Sequence, residues 1–148
     1  MTVFRPARRA DVPAIVALLA EDAVGATRDA GRMAEFLAAW DAMEAEAGNT
    51  VIVGTREGRI VATYQLTVIT GLSLRAARRA QVESVRVASD LRSHGIGAAL
   101  MADAEDRARA AGCDLVQLTT DRSRTRAHAF YDRLGYTPSH LGYKKRLD

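Results

Sequence analysis

The sequence predicts a mixed α/β layer fold in a single domain over residues 1–148. Helical and extended hydrophobic patterns alternate along the chain, and neither a long linker nor an internal repeat interrupts them. Of the 148 residues, 48% are hydrophobic, which is enough for one real core rather than a disordered or fibrous segment.

The elements follow in order. Asp11 precedes Pro13 as an N-cap precedes an early-turn proline, and Ile15, Leu18 and Leu19 then fall at helical spacing, so a first helix covers about 11–22. Met33, Phe36, Leu37, Trp40 and Met43 recur at steps of three and four before Gly48-Asn49, which sets a second helix over 33–47. "TVIVGTREGRIVATYQLTVI" holds two β-branched runs around Glu57-Gly58, an antiparallel hairpin with strands of about 50–56 and 60–69. "TGLSLRAARRA" breaks that pattern, and "AQVESVRVA" is extended again. A helix over 95–111, the strand "CDLVQLTT", a helix over 123–134 and a final extended pair complete the order. In the helix over 95–111, Leu100, Ala104, Ala108 and Ala111 form an apolar stripe, while Asp103 with Arg107 and Glu105 with Arg109 are four-residue ion pairs.

Composition narrows the function classes. The single cysteine, Cys113, excludes an internal disulfide framework and reads as strand packing; three scattered histidines leave no zinc-ligand spacing, so no metal is expected. No run of about 20 apolar residues occurs, and the N-terminal apolar run is broken by acids and lacks a cleavage site. No membrane association and a cytoplasmic location are therefore expected. The net charge of +3 favours anionic partners, and the cations are almost all arginine, whose planar fork suits phosphates and carboxylates. The arginines are not interleaved with aromatics and no nucleic-acid motif appears, so nucleic acid is not an expected partner.

The chemistry concentrates in "VRVASDLRSHGIGAALM", residues 85–101. A strand runs into Gly95 and Gly97 and a helix starts there. The first N–H groups of a helix are unpaired and carry partial positive charge, and glycine lets a phosphate approach them. A Walker A loop needs a lysine that is missing; a dinucleotide fingerprint needs a third glycine where Leu100 stands. The remaining pattern is Arg/Gln-x-x-Gly-x-Gly/Ala, met by Arg92-Ser93-His94-Gly95-Ile96-Gly97. It resembles the acyl-coenzyme A loop of the GNAT superfamily of N-acetyltransferases. A second stretch strengthens the resemblance: Arg124-Thr125-Arg126-Ala127-His128-Ala129-Phe130-Tyr131 followed by Leu134-Gly135-Tyr136 is similar to the family's Asn-x-x-Ala-x-x-x-Tyr helix ending in Gly-Phe/Tyr. Arg124 departs from it, standing where many relatives carry asparagine.

The resemblance implies a largely antiparallel mixed sheet, splayed at its centre, with helices on both faces. It implies acetyl-CoA as cosubstrate, held by backbone groups at Val85, Arg86 and Val87, by the loop Arg92, Ser93, His94, Gly95, Ile96, Gly97 and Ala98, and by Arg124, Ala127 and Tyr131. Arg122, Arg124 and Arg126 are candidates for the cosubstrate's phosphates. Acyl transfer needs a neutral amine, donors for the oxyanion and a proton for the departing thiolate. Tyr131 is the implied general acid, although Ala127, Phe130, Tyr131 and Leu134 also make an apolar helix stripe. Glu83 is the implied carboxylate beside the amine, directly or through water; the alternative is a structural ion pair. By strand periodicity Glu83, Val85 and Val87 share one face and Arg86 the other, and the resemblance also implies a bulge that splays this strand from its neighbour. The acceptor is a primary amine, on a small molecule or on a peptide or protein, entering between the first two helices and the 70–80 loop. Arg28, Arg32, Arg75, Arg78 and Arg79 would favour an anionic acceptor. His128 is expected to pair with Asp132. A homodimer is compatible with this scheme, and the alternative function is a non-catalytic acyl-CoA-binding regulator.

Overall fold

The computed structural model describes residues 1–21 and 32–148, so Arg28 and the end of the first predicted helix lie outside the described residues. Contacts gather the chain into two compact units, Met1–Gln117 and Leu118–Asp148.

The larger unit is built on a five-stranded sheet whose spatial order follows the sequence. Its strands are β1 (Val3–Pro6), β2 (Asn49–Arg56), β3 (Arg59–Thr70), β4 (Arg78–Val87) and β5 (Leu115–Leu118), the last residue of which opens the second unit. The first three pairings are antiparallel. Contacts between β4 and the start of β5 advance together: Asp114 N–H donates to Arg78 O at 2.7 Å, and Gln117 bonds Arg79 and then Gln81, which is the progression of parallel strands. The sheet is therefore mixed and largely antiparallel. Four residues of β5 cannot flank all ten of β4, so the later part of β4 runs on past it.

The β2–β3 hairpin turns at Glu57 and Gly58, with φ of +52° and +78°. Two consecutive left-handed residues give the turn whose twist matches paired strands. Strand β1 went unseen in the sequence because four residues containing Arg5 and Pro6 offer no alternation to read. Its Phe4 pairs with Gly54, where an added Cβ would stand 2.8 Å from the Phe4 ring.

Helices cover both faces. On one side lie α1 (Val12–Ala20) and α2 (Met33–Glu44), which end earlier than their hydrophobic patterns suggest. On the other lies α4 (Ile96–Ala110); the Tyr64 hydroxyl donates to Asp103 on it at 2.5 Å. Side chains alternate along a strand, so Thr63 and Gln65 face α1 and α2 while Ala62, Tyr64 and Leu66 face α4. Ile52, Val53, Val61, Val82, Leu100 and Met101 are essentially buried. Asp11 lies at the end of a 3-10 turn (Arg9–Asp11) rather than capping α1 with its side chain. Its carboxylate accepts from Arg8 N–H and from Arg5, and that Arg5 hydrogen bond holds it below the usual carboxylate range.

Between β3 and β4, α3 (Ser73–Ala76) is a single turn in which Leu74, Arg75 and Ala76 have φ of +54°, +60° and +61°. Each left-handed non-glycine residue costs about 1–2 kcal/mol. The extended backbone resumes at Arg78, two residues before the sequence pattern shows it.

The smaller unit contains α5 (Thr125–Arg133), none of whose residues is fully buried. Phe130 and Tyr136 meet the Tyr131 ring edge-on, at centroid distances of 5.0 and 5.9 Å. The expected final strand pair is absent: residues 137–148 carry no regular structure. That segment contains Pro138 and the run Lys144-Lys145-Arg146, and its Leu141, Tyr143 and Leu147 are all exposed, so little apolar burial offsets the entropy of ordering a strand.

Candidate active site

The β3–β4 ladder changes register between Thr63 and Gln65: Gln65 pairs with Glu83, but Thr63 pairs with Arg86. Two residues, Ser84 and Val85, thus stand opposite Tyr64 alone. Ser84 takes φ +54°, the left-handed kink of a bulge. This corrects the expected alternation. Paired residues share a face, so Glu83 and Arg86 both fall on the side of Gln65 and Thr63, facing α1 and α2, while Val87 opposite Ala62 turns to the α4 side. Glu83 and Ser84 are exposed; Val85, Arg86 and Val87 are half-buried, and Arg86 donates to Val85 O at 2.9 Å. A bulge frees strand N–H and C=O groups from the ladder, which is the requirement for backbone recognition of an extended ligand.

A 3-10 turn (Ser89–Leu91) carries β4 into the glycine loop. Glu21 anchors it, accepting from Ser89 N–H at 3.0 Å with Arg92 at 4.0 Å. Ser93 and Gly95 are left-handed, with φ of +66° and +78°; His94 Nδ1 lies 2.9 Å from Arg92 O and so donates back into the loop. Gly95 is the N-cap of α4, no side chain caps the helix there, and a Cβ built on Gly95 would meet nothing within 4 Å. The loop residues Arg92 to Gly95 are exposed, whereas Ile96, Leu100, Met101, Ala104 and Ala108 bury the stripe behind them. The result is an open row of N–H donors on a firmly seated helix, the arrangement that accepts a phosphate. Of the two predicted pairs on this helix, Asp103–Arg107 forms at 2.8 Å, and Arg109 also bonds Asp106 at 3.0 Å. Burial, reinforced by the Asp103 carboxylate, pushes the Tyr64 phenol up, so it stays a hydrogen-bond donor.

In the smaller unit, Asp121 accepts from Ser123 N–H and Oγ, and these bonds hold its carboxylate low. His128 Nε2 lies 2.9 Å from Asp121 O, so His128 is tied to the turn before α5 rather than to Asp132. Arg122, Arg124 and Arg126 are exposed, Ala127 and Tyr131 are half-buried, and the carbonyl of Tyr131 accepts from Leu134 and Tyr136.

Of the arginines expected to favour an anionic acceptor, Arg28 lies outside the described residues, and two neighbours on β4 diverge. Arg78, opposite Thr70, and Arg79, opposite Ile69, point to opposite faces; Arg78 reaches Thr70 Oγ1 and Arg79 reaches Gln117 Oε1. Cys113 precedes β5 instead of beginning it, its N–H closing the end of α4 on Ala108 O. Between α1, α2 and the sheet lies a cavity of about 130 Å³ lined by Val12, Ile15, Leu19, Phe36, Trp40 and Met43, with Gln65 and Ser84 of the bulge among its other walls. The sequence points to an acceptor entrance beside the first two helices but not to the part that Gln65 and Ser84 play in this cavity. Among the described residues no cluster of metal-binding side chains occurs, and no helix is long and apolar enough to cross a membrane.

The sequence profile of the acetyltransferase (GNAT) family matches residues 13–136. Over 67 residues the chain is 40% identical to the aminoalkylphosphonate N-acetyltransferase of Salmonella typhimurium, a match that covers 45% of this chain and 44% of that protein. The crystal structure of a transcriptional regulator from Bacillus halodurans superposes with a TM-score of 0.92 at 33% identity, covering 99% of this chain and 100% of the other. Glucosamine-6-phosphate N-acetyltransferase from Arabidopsis thaliana shares the fold, with a TM-score of 0.81 at 20% identity over 100% of this chain and 99% of its own. The bulged strand, the glycine loop and the helix behind it thus lie inside a matched region covering most of the chain, which belongs to the GNAT family of acetyltransferases.

Proposed function

We propose that residues 1–148 act as one catalytic domain that transfers the acetyl group of acetyl-CoA to a primary amine by direct attack in a ternary complex. The observation that carries the reading is the α4 entrance: an uncapped helix start at Gly95, open to solvent and fed by a bulged strand, inside a GNAT family match. In this scheme the N–H groups from Gly95 onward hold the diphosphate of the cosubstrate, and backbone groups at Val85 to Val87 hold its extended arm and polarise the thioester carbonyl. Glu83 receives the proton of the incoming ammonium, directly or through water, so that the neutral amine attacks. As the tetrahedral intermediate collapses with cleavage of the C–S bond, the Tyr131 phenol donates its proton to the leaving thiolate, and the surplus proton of the attacking nitrogen passes through water to restore the phenol. A phenol, with a reference pKa of about 10, is protonated at neutral pH and can serve.

The test is calorimetric titration of acetyl-CoA, with Gly95→Glu as control, followed by thiol release with an amine panel. Saturable binding lost in the variant, together with amine-dependent thiol release, supports the reading; no binding to folded protein overturns it. A second reading, an acyl-CoA-binding regulator without turnover, draws support from the 33% identical structure described as a transcriptional regulator. Binding without turnover on every amine class would favour it.

A further inference from the structure

The cavity between α1, α2 and the sheet has features of a binding pocket. Its walls are almost wholly apolar where Val12, Ile15, Leu19, Phe36 and Met43 meet, and polar where Gln65 and Ser84 reach it. Trp40, another wall residue, is 92% buried, and its indole N–H has no hydrogen-bond acceptor among the described residues. At the polar end, Glu83 adjoins Ser84 in the chain, pairs with Gln65 across the ladder and shares its face. An exposed carboxylate is thus the chain neighbour of one wall residue of the apolar hollow and the cross-strand partner of another.

A cavity of about 130 Å³ is close to the roughly 150 Å³ that takes up a benzene ring. It holds five to seven carbons' worth of ligand on the same scale, about a branched alkyl or a phenyl group. Such a body filling the apolar end, with its ammonium beside Glu83, satisfies both ends by hydrophobic burial and charge complementarity.

We propose that the acceptor is a primary amine with a compact apolar body, and that this cavity selects it by size. The inference rests on the acetyltransferase reading and names its substrate class. It places specificity in α1 and α2 rather than in Arg75, Arg78 and Arg79.

Two measurements test it. The first is thiol release from acetyl-CoA with ethylamine, isoamylamine, phenethylamine and tryptamine, alongside an aminoalkylphosphonate. The expected result is a KM at least tenfold lower for isoamylamine or phenethylamine than for ethylamine, rising again for tryptamine. Ala39, on α2, also lines the cavity. Ala39→Leu and, separately, Met43→Phe, which fill the cavity from α2, should raise the KM for phenethylamine at least tenfold while leaving acetyl-CoA affinity unchanged. The second needs no turnover. Trp40 is the chain's single tryptophan, so its emission should shift saturably as phenethylamine is added, and should not shift in Met43→Phe.

Turnover without dependence on amine size, or turnover confined to the aminoalkylphosphonate, would overturn this inference and leave the acetyltransferase standing. Failure to bind acetyl-CoA would overturn the acetyltransferase, and with it the acceptor role of the cavity, even if the tryptophan signal showed that the cavity fills.

Discussion

Helices α4 and α5 both begin without a side-chain cap, yet they are held in different ways. Five residues of α4 are buried, whereas none of α5 is. The start of α4 is therefore fixed by the core, and its N–H donors are in position before any ligand arrives. The start of α5 rests on the Asp121 turn and a half-buried aromatic trio. Anion binding requires fixed donors because each one that moves costs ordering entropy on binding. In the reaction proposed above, delivering one proton from Tyr131 would make no such demand until the cosubstrate is present.

Four measurements can break or sharpen this contrast. The largest effect is expected for Leu100→Ala, which removes a fully buried side chain from α4 and should cost about 3–5 kcal/mol in chemical denaturation. Leu134→Ala, at the end of α5, should cost only about 1 kcal/mol; equal losses would show that the two helices are anchored alike. Next, Tyr131→Phe keeps the ring and its edge contacts but loses the proton. Turnover should fall about 100-fold, with acetyl-CoA affinity by calorimetry unchanged. A parallel loss of affinity would make Tyr131 a binding residue instead.

Gly95→Ala is predicted to lower stability by about 1 kcal/mol, because only the φ of +78° opposes the new Cβ and nothing crowds it. The smallest effect concerns the β1 end of the sheet, far from either helix start in sequence. The folded-state pKa of Asp11 is depressed, so its contribution is complete above the ordinary carboxylate pKa of about 4 and is lost as pH falls through the folded value. Asp11→Asn should lower stability at pH 7 by less than about 1 kcal/mol and flatten the acid limb of a stability–pH curve.

Local pattern announced much of this molecule. The helices of residues 12–20, 33–44 and 96–110, the hairpin at Glu57-Gly58 and the glycine loop at 92–97 each carry a periodicity or a punctuation mark that acts within about 15 residues. What escaped depends on distant partners. Strand β1 exists because β2 offers it an edge, and the tail after Thr137 has no strand because little of it can be buried. The place of the bulge is the clearest case: the family resemblance implies one in this strand but not at which residue. Nothing in "QVESVRV" marks Ser84 as an inserted residue; only the pairing with β3 reveals it, and the assumed face of Arg86 was wrong for that reason. The sheet-side walls of the cavity were hidden similarly, since Trp40 and Ser84 are 44 positions apart in the chain.

The bulge has a consequence for how this chain tolerates insertions and deletions. A strand is read in steps of two, and the extra residue at Ser84 works like a frameshift in that two-letter code: residues before and after it are spelled onto opposite sides. Removing the single codon for Ser84 would turn β4 into a regular strand: Val85 alone would stand opposite Tyr64, and Arg86 and Val87 would keep their partners and their sides, but the backbone groups that the bulge frees would be lost. Deleting Ser84 should therefore spare the fold while removing the freed backbone groups, whereas deleting Ser84 and Val85 together would bring Arg86 opposite Tyr64 and turn it to the other side.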